Sequence, residues 1–434
     1  MQVVTKDEMY AIDRYAMELG LDGEMLMENA GQAVTRKLLD HVGKGDRIAV
    51  LIGTGNNGGD GFVVARMLKS LGFDAHAWLI PEKFKVKGDA KKAMDVYERS
   101  GFRMHSFPHE GMQTLKRSLS DCQVIVDALL GIGVSGALRS PYKEIIEVVN
   151  SVDHARVFSI DLPSGVPADG GDVEDAVRAD RTITLHHPKM GAFTYPSREY
   201  YGELDVVHIG IPPIATQQIA NVRKVWLPED VARTFPKRSP FSHKGDYGKG
   251  LIIAGSKEMT GAAVMAAKAS LRSGCGLLTV ALPEEIKTEV AGQLMEAMFL
   301  PFSSGDIALE RDFDAIAVGP GLGRSDESRR VIEAVLEKDV PLVVDADGLF
   351  HLAGIKARLK QRKHVTVLTP HSGEMARLLG ISAKEVEQDR FSLSKQFACE
   401  YGVYLVLKGP YTICTTPDGD QFINPTGNAA LAKG

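Results

Sequence analysis

Cysteine is scarce in this chain. Its four thiols, Cys122, Cys275, Cys399 and Cys414, lie far apart in 434 residues and form no Cys-x-x-Cys pair. Neither a disulfide framework nor a cysteine-built zinc site is therefore indicated, and reduced thiols in a cytoplasmic protein are the expectation. Cationic excess is missing too: 51 Lys and Arg face 56 Asp and Glu, for a formal net charge of -5. Neutralising a phosphate backbone needs clustered cations, so no nucleic-acid partner is expected. The short run Lys83-Phe84-Lys85-Val86-Lys87 reads as a solvated face. No apolar stretch is long enough to span a bilayer, and Met1 to Tyr10 carries acids where a signal peptide would be apolar, so no membrane role is expected either.

What is there is ample core material. With 44% hydrophobic and 25% charged residues, a chain of this length can bury two or more cores. Thr5-Lys6-Asp7-Glu8 is a capping-box pattern opening a helix to about Leu19, and a second helix is expected from about Glu24 to Leu39. Strands then follow near 47–52, 74–80, 122–127, 156–161, 181–185 and 204–209, most of them separated by helical stretches. This alternation indicates a doubly wound, mostly parallel sheet. Residues 1–215 are read as one domain, the Pro-, Lys- and Ser-rich 216–240 as a connector with a short strand at Val225-Trp226-Leu227, and 241–434 as a second α/β domain. Strands of the second domain are expected near 251–255, 277–282, 314–318, 341–345, 365–369, 403–408 and 411–415.

Gly53-Thr54-Gly55-Asn56-Asn57-Gly58-Gly59-Asp60-Gly61 sits between a strand and the helical run from Phe62 to Leu71. Such a turn aims backbone N–H groups and a helix dipole at an anion, yet Asp60 adds a carboxylate that pyrophosphate would not welcome. In open α/β sheets, ligands bind beyond the carboxyl ends of the strands. There the first domain also presents Asp127 to Gly136 and Asp161 to Gly165, so that Asp60, Asp127 and Asp161 are expected to crowd together and call for a cation. The amide oxygen of Asn57, an oxygen of Asp127 and the hydroxyl of Ser164 are hard, mostly neutral ligands that suit potassium better than zinc. A single Gly-x-Gly-x-x-Gly is a weak signal, and Asp60 could merely cap its helix; the three loops together are more specific. His186-His187-Pro188-Lys189 is read as a strand end with solvent-facing imidazoles, and Met25 and Met27 as ordinary packing.

The second domain supplies Lys244-Gly245-x-x-Gly248, Gly261-Ala262, Gly319-Pro320-Gly321-Leu322-Gly323, Asp345-Ala346-Asp347-Gly348, Thr369-Pro370-His371-Ser372-Gly373-Glu374 and Lys408-Gly409-Pro410-Tyr411-Thr412. Taken singly these are turns. Taken together they describe a nucleotide-phosphate and substrate cleft, with Lys408 to Thr412 a tight hairpin able to hold a phosphate chain.

On these residues the chain resembles the bifunctional metabolite-repair family that joins an NAD(P)H-hydrate epimerase domain to an ADP-dependent NAD(P)H-hydrate dehydratase domain. The former is a Rossmann-like doubly wound sheet, the latter a ribokinase-like fold. The resemblance covers nearly the whole chain and implies NADHX and NADPHX, nicotinamides hydrated across C5–C6, as substrates, together with a homo-oligomeric assembly. It implies epimerase substrate contacts at Asn56, Asn57, Gly58, Gly59 and Asp60, at Gly131, Ile132, Gly133, Val134, Ser135, Gly136 and Ala137, and at Tyr142. Asp161 would be the acid/base, and Asn57, Asp127 and Ser164 the potassium ligands. For dehydration it implies hydrate contacts at Ala262, Gly323 and His371, nucleotide contacts at Lys408, Gly409, Pro410, Tyr411 and Thr412, and ADP or ATP as phosphoryl donor with Mg²⁺. The family pattern continues past Asn-Ala-Ala-Leu-Ala-Lys-Gly into Gly-x-Gly-Asp, whereas this sequence ends at Gly434, so a second domain shortened before its catalytic Asp is expected. The alternatives are an NAD(P)-dependent oxidoreductase, for which Glu82 is a loosely placed ribose-binding candidate and against which Asp60 in the turn argues, a non-catalytic nucleotide-binding protein, and, for the second domain, a sugar or vitamin kinase.

Overall fold

The computed structural model describes residues 1–434 except 135, 218, 220, 221, 304–306, 308, 310, 311, 429 and 431–434. The chain forms two units, Met1–Ala220 and Asn221–Gly434.

In the first unit Thr5 caps helix α1, Lys6–Glu18, through the reciprocal pair Glu8 N–H to Thr5 Oγ1 (3.2 Å) and Thr5 N–H to Glu8 Oε2 (2.8 Å). Helix α2 spans Gly23–Leu38. Seven parallel strands follow: β1 Arg47–Ile52, β2 Asp74–Leu79, β3 Met104–Ser106, β4 Val124–Ala128, β5 Arg156–Ile160, β6 Arg181–Leu185 and β7 Glu203–Val207, in spatial order 3-2-1-4-5-6-7. The apolar runs of β1 and β4 are buried on both faces, as a sheet covered by helices on each side demands. The order reverses between β1 and β4. At that point the loops after both strands diverge and open a crevice. Strand β3 has no counterpart in the sequence reading, because three half-buried residues, Met-His-Ser, carry no usable period.

Helix α3 spans Asn56–Ser70, six residues earlier than the sequence reading put it. Asn56 to Asp60 are thus its first turns rather than a loop. A Cβ on Gly53 would lie 1.7 Å from the Leu129 carbonyl oxygen, so only glycine lets the loop after β1 press against the loop after β4.

The second unit holds a ten-stranded sheet of β8 Arg223–Val225, β9 Lys249–Ile253, β10 Leu277–Pro283, β11 Met298–Phe302, β12 Ala315–Val318, β13 Leu342–Val344, β14 Thr366–Leu368, β15 Tyr404–Leu407, β16 Thr412–Thr415 and β17 Gln421–Asn424. Its order is 11-10-9-12-13-14-15-16-17-8, parallel from β11 to β15 and antiparallel through β16 and β17. Strand β8 pairs with β17 at the far edge, so the short strand expected within the connector near Val225 forms two residues earlier and belongs to the second sheet. Strands β11, an edge strand interrupted by Pro301, and β17 were not anticipated; proline masks an edge strand by removing a ladder donor.

Candidate functional site

The crevice at the β1/β4 reversal is a cavity of about 560 Å³. Its walls include Asp13, Asn57, Asp60, Asp161 and Lys189, with Gly131 to Val134 along one side. Gly55 caps α3 without a side chain and the first turn carries no acid, so the dipole end of the helix is open to an anion. Asn56 lies at this rim. Gly58 and Gly59 face away from the cavity, Gly58 against the Gly53 backbone and Gly59 against Met27. Gly136 and Ala137 continue the loop beyond the lining residues, and Ser135 lies outside the described residues. Tyr142 does not line the cavity; it stands behind the wall and bonds to Thr54, which does.

Asp127, Ser164 and Asn57 converge on the backbone of Leu130. The Ser164 hydroxyl donates to Asp127 Oδ1 (2.5 Å) and accepts from the Leu130 N–H (2.9 Å), while Asn57 Nδ2 donates to the Leu130 carbonyl (2.7 Å). Asp127 Oδ2 takes the Ser164 N–H and the Ser159 hydroxyl, both at 2.8 Å. Full burial pushes the Asp127 carboxyl above its ordinary range, and these hydrogen bonds pull it back. The Asn57 Oδ1 atom is buried and has no partner. A buried amide oxygen left unpaired is costly, and beside a buried carboxylate it is a donor set that a monovalent cation fits.

The expected crowding of three carboxylates is corrected by the structure. Asp127 is held apart in its own hydrogen-bond cage. The group that gathers is Asp13, Asp60 and Asp161, and the cation among them is a side chain, Lys189. Lys189 is 1% exposed; it pairs with Asp161 Oδ1 and donates to the Leu185 carbonyl at 3.1 Å. Asp161 also accepts from the Leu185 N–H at 3.0 Å and the Thr184 hydroxyl at 3.2 Å. It stands at the end of β5 with φ +68°, a conformation that a non-glycine residue adopts only where the surroundings impose it. Burial, with Asp161 and Asp13 nearby, raises the Asp60 carboxyl well above the ordinary range. Burial also lifts Asp13 to about 6, against the opposing pull of Lys189.

The solvent-facing reading of His186-His187-Pro188-Lys189 is therefore overturned. His186 is 5% exposed, and burial lowers His186 to about 4 and His187 to about 3. Both rings are neutral and share the Thr216 hydroxyl. The segment turns inward because Val4 pairs with it on both sides, Val4 N–H to the Pro188 carbonyl and Met190 N–H to the Val4 carbonyl, each at 3.0 Å. Met27 is buried at the crevice while Met25 is exposed.

In the second unit the loops after β9, β12 and β13 enclose a cavity of about 900 Å³ lined in part by Met259, Gly323, Arg324 and Asp347. Arg324 and Asp347 also border a smaller cavity of about 300 Å³ that contains His371. Ala262 lies behind the first cavity, packed against Gly321. His371 caps the helix Ser372–Leu379, its Nδ1 accepting the Gly373 N–H at 3.0 Å, so this ring nitrogen is unprotonated. Lys408 to Tyr411 form the turn of the β15/β16 hairpin, and Thr412 opens β16. Lys408 Nζ pairs with Asp345 Oδ1 at 2.8 Å. Arg390, which sequence reasoning missed, is buried beneath the turn and donates to the carbonyls of Leu407 (3.1 Å), Lys408 (3.2 Å) and Tyr411 (3.2 Å). A Cβ on Gly409 would meet its guanidinium at 2.4 Å. Pro410 and Tyr411 complete the turn.

Two family models match the chain: that of the YjeF-related protein N-terminus over residues 23–191 and that of NAD(P)H-hydrate dehydratase over residues 250–434. A bifunctional NAD(P)H-hydrate repair enzyme of Thermofilum pendens is 37% identical over 100% of this chain and 84% of its own length. One of Moorella thermoacetica is 36% identical over 100% and 85%. An ADP/ATP-dependent NAD(P)H-hydrate dehydratase of Bacillus subtilis, co-crystallised with ATP and Mg²⁺, is 37% identical over 50% of this chain and 77% of that one, with a TM-score of 0.45.

Proposed function

The chain belongs to the family of bifunctional NAD(P)H-hydrate repair enzymes, whose activities are epimerisation of the hydrate and its nucleotide-dependent dehydration, and we propose that the first-unit crevice epimerises with Asp161 as proton-transfer group. The observation that carries this reading is the Asp161–Lys189 pair, buried yet lining a cavity that opens onto a helix N-terminus. Epimerisation asks little of an enzyme. The ring nitrogen lone pair expels the C6 hydroxyl once it is protonated, and water returns to C6 of the iminium from either face. A positioned carboxylate accelerates both proton transfers. The Asp161 carboxylate lines the cavity and would stabilise the developing cation. The first turn of α3 would take the pyrophosphate, with Gly131 to Val134 beside the nicotinamide.

Asn57, Asp127 and Ser164 would hold potassium, which supplies positive charge to offset the buried Asp127 carboxylate and fixes the Leu130 loop. In the second unit Lys408 and the hairpin amides would hold the phosphate chain of ADP or ATP. Gly323 and His371 would flank the hydrate, with Ala262 supporting the loop behind them. Mg²⁺, which binds mostly through substrate phosphates, would come with the nucleotide and stabilise charge on the transferring group. A homo-oligomer acting in the cytoplasm is part of the same reading, by family membership.

The test is to incubate the protein with one hydrate epimer, without nucleotide, in potassium and in lithium buffers, and to follow R/S interconversion by chromatography. Interconversion above the spontaneous rate that Asp161→Asn lowers by about 100-fold is expected. A rate untouched by that substitution removes Asp161 from the chemistry.

A further inference from the structure

Epimerisation differs from most proton-assisted reactions in needing help on two sides. Water must leave one face of the ring and return to the other, so a single fixed carboxylate can serve only one of the two steps well. Asp161 stands on the sheet-end wall. The wall provided by α1 carries Met9, Asp13 and Met17, spaced four residues apart on one face of the helix and all lining the cavity. An apolar residue at position 13 would complete that stripe. A carboxylate there breaks the local pattern, as happens where function overrides packing.

Asp13 is also held in place. The chain just before α1 pairs on both sides with the Pro188–Met190 segment that carries Lys189, the Lys6 N–H donates to Asp169 at 2.7 Å, and Ile12 and Ala16 anchor the helix in the core. The charged groups facing Asp13 are Lys189 and Asp161 from the sheet end and Asp60 from α3. Its carboxyl, lifted to about 6, exchanges protons readily near neutral pH.

We propose that Asp13 is a second acid/base residue of the epimerase crevice, serving the nicotinamide face opposite the one served by Asp161. The inference rests on the reading of Asp161 given above. In one direction the Lys189–Asp161 pair gives a proton to the C6 hydroxyl, relayed from the Lys189 ammonium through the Asp161 carboxylate, the C6–O bond breaks to release water and the iminium, and a second water adds to C6 from the other face while its proton passes to Asp13. The reverse direction exchanges the roles, and protons and oxygen balance at each step with no oxidant or reductant.

The experiment uses the full chain without nucleotide, one epimer at a time, in heavy-oxygen water. Both inversion at C6 and incorporation of the label into the unchanged epimer are followed by chromatography with mass detection. Wild type gives both. Asp13→Asn is expected to lose inversion by about 100-fold from either epimer, while the epimer whose hydroxyl faces Asp161 still exchanges label with retention at a near wild-type rate. Asp161→Asn should show the mirror pattern, retaining exchange only in the other epimer. Equal loss of exchange and inversion in Asp13→Asn, with a melting temperature no lower than that of wild type, would mean a merely structural role and overturn the proposal, as would full inversion in that variant. If Asp161→Asn retains both processes, the reading of Asp161 has failed, and with it the basis for the proposal. Asp13→Glu, which keeps the carboxyl, should restore part of the inversion.

Discussion

Lys189 is the residue whose environment most constrains the first unit. An ammonium 1% exposed survives only because Asp161 and the Leu185 carbonyl receive it. Removing one member of a buried pair strands the other, so Lys189→Ala should lower the unfolding free energy by about 3–5 kcal/mol, read from urea melts. Joining Lys189→Met to Asp161→Asn leaves no stranded charge and should recover most of that stability, with no recovery of epimerase activity. Asp13 acts in the opposite sense. Its folded-state pKa of about 6 against an ordinary 3.8 means that the fold prefers the protonated form. That contribution is fully present below about pH 4 and is lost as pH rises through about 6. Asp13→Asn should therefore be more stable than wild type above about pH 6 and gain nothing below about pH 4, as thermal melts across that range would reveal.

At the scale of elements, the decisive contacts run between loops rather than within them. The Leu130 loop after β4 is tied to α3 by Asn57 and to the loop after β5 by Ser164. Ser164→Ala should cost about 1–3 kcal/mol by leaving the buried Asp127 carboxylate short of a donor, and should weaken the dependence of epimerase rate on potassium, measured in a potassium–lithium titration. Arg390 plays the same part for the β15/β16 hairpin, where three carbonyls share one guanidinium. Arg390→Lys cannot reproduce that fork. It should raise the dissociation constant for ATP, measured by calorimetry, while leaving epimerase activity unchanged. The Arg390 link was not legible along the chain. Glycine loops announce themselves by composition, whereas the inward turn of Pro188–Lys189 depends on pairing with Val4, 184 or so positions away in the chain. Asp13 left one trace, a carboxylate in an otherwise apolar stripe.

For the whole molecule, two sheets with separate cores make two folding units, each long enough to stand alone. Residues 1–220 expressed by themselves should epimerise within about twofold of the full chain's rate, a comparison made directly by the chromatographic assay. The alternation of strands and helices, the two-domain division and the glycine-bearing loops at strand ends were readable from the sequence, because periodicity and backbone freedom are local properties. Edge strands β3 and β11, the inner strand β17, and the early start of α3 were not. These depend on partners that the linear order does not reveal. By itself the sequence determined which loops could meet a dinucleotide and that three of them carry acids. Only the tertiary structure decided that Asp127 is caged apart, that Lys189 rather than a bound ion sits among the other carboxylates, and that α1 brings Asp13 to the same cavity. The reason is that burial and charge pairing are set by neighbours distant in the chain, and a residue's type does not reveal who those neighbours are.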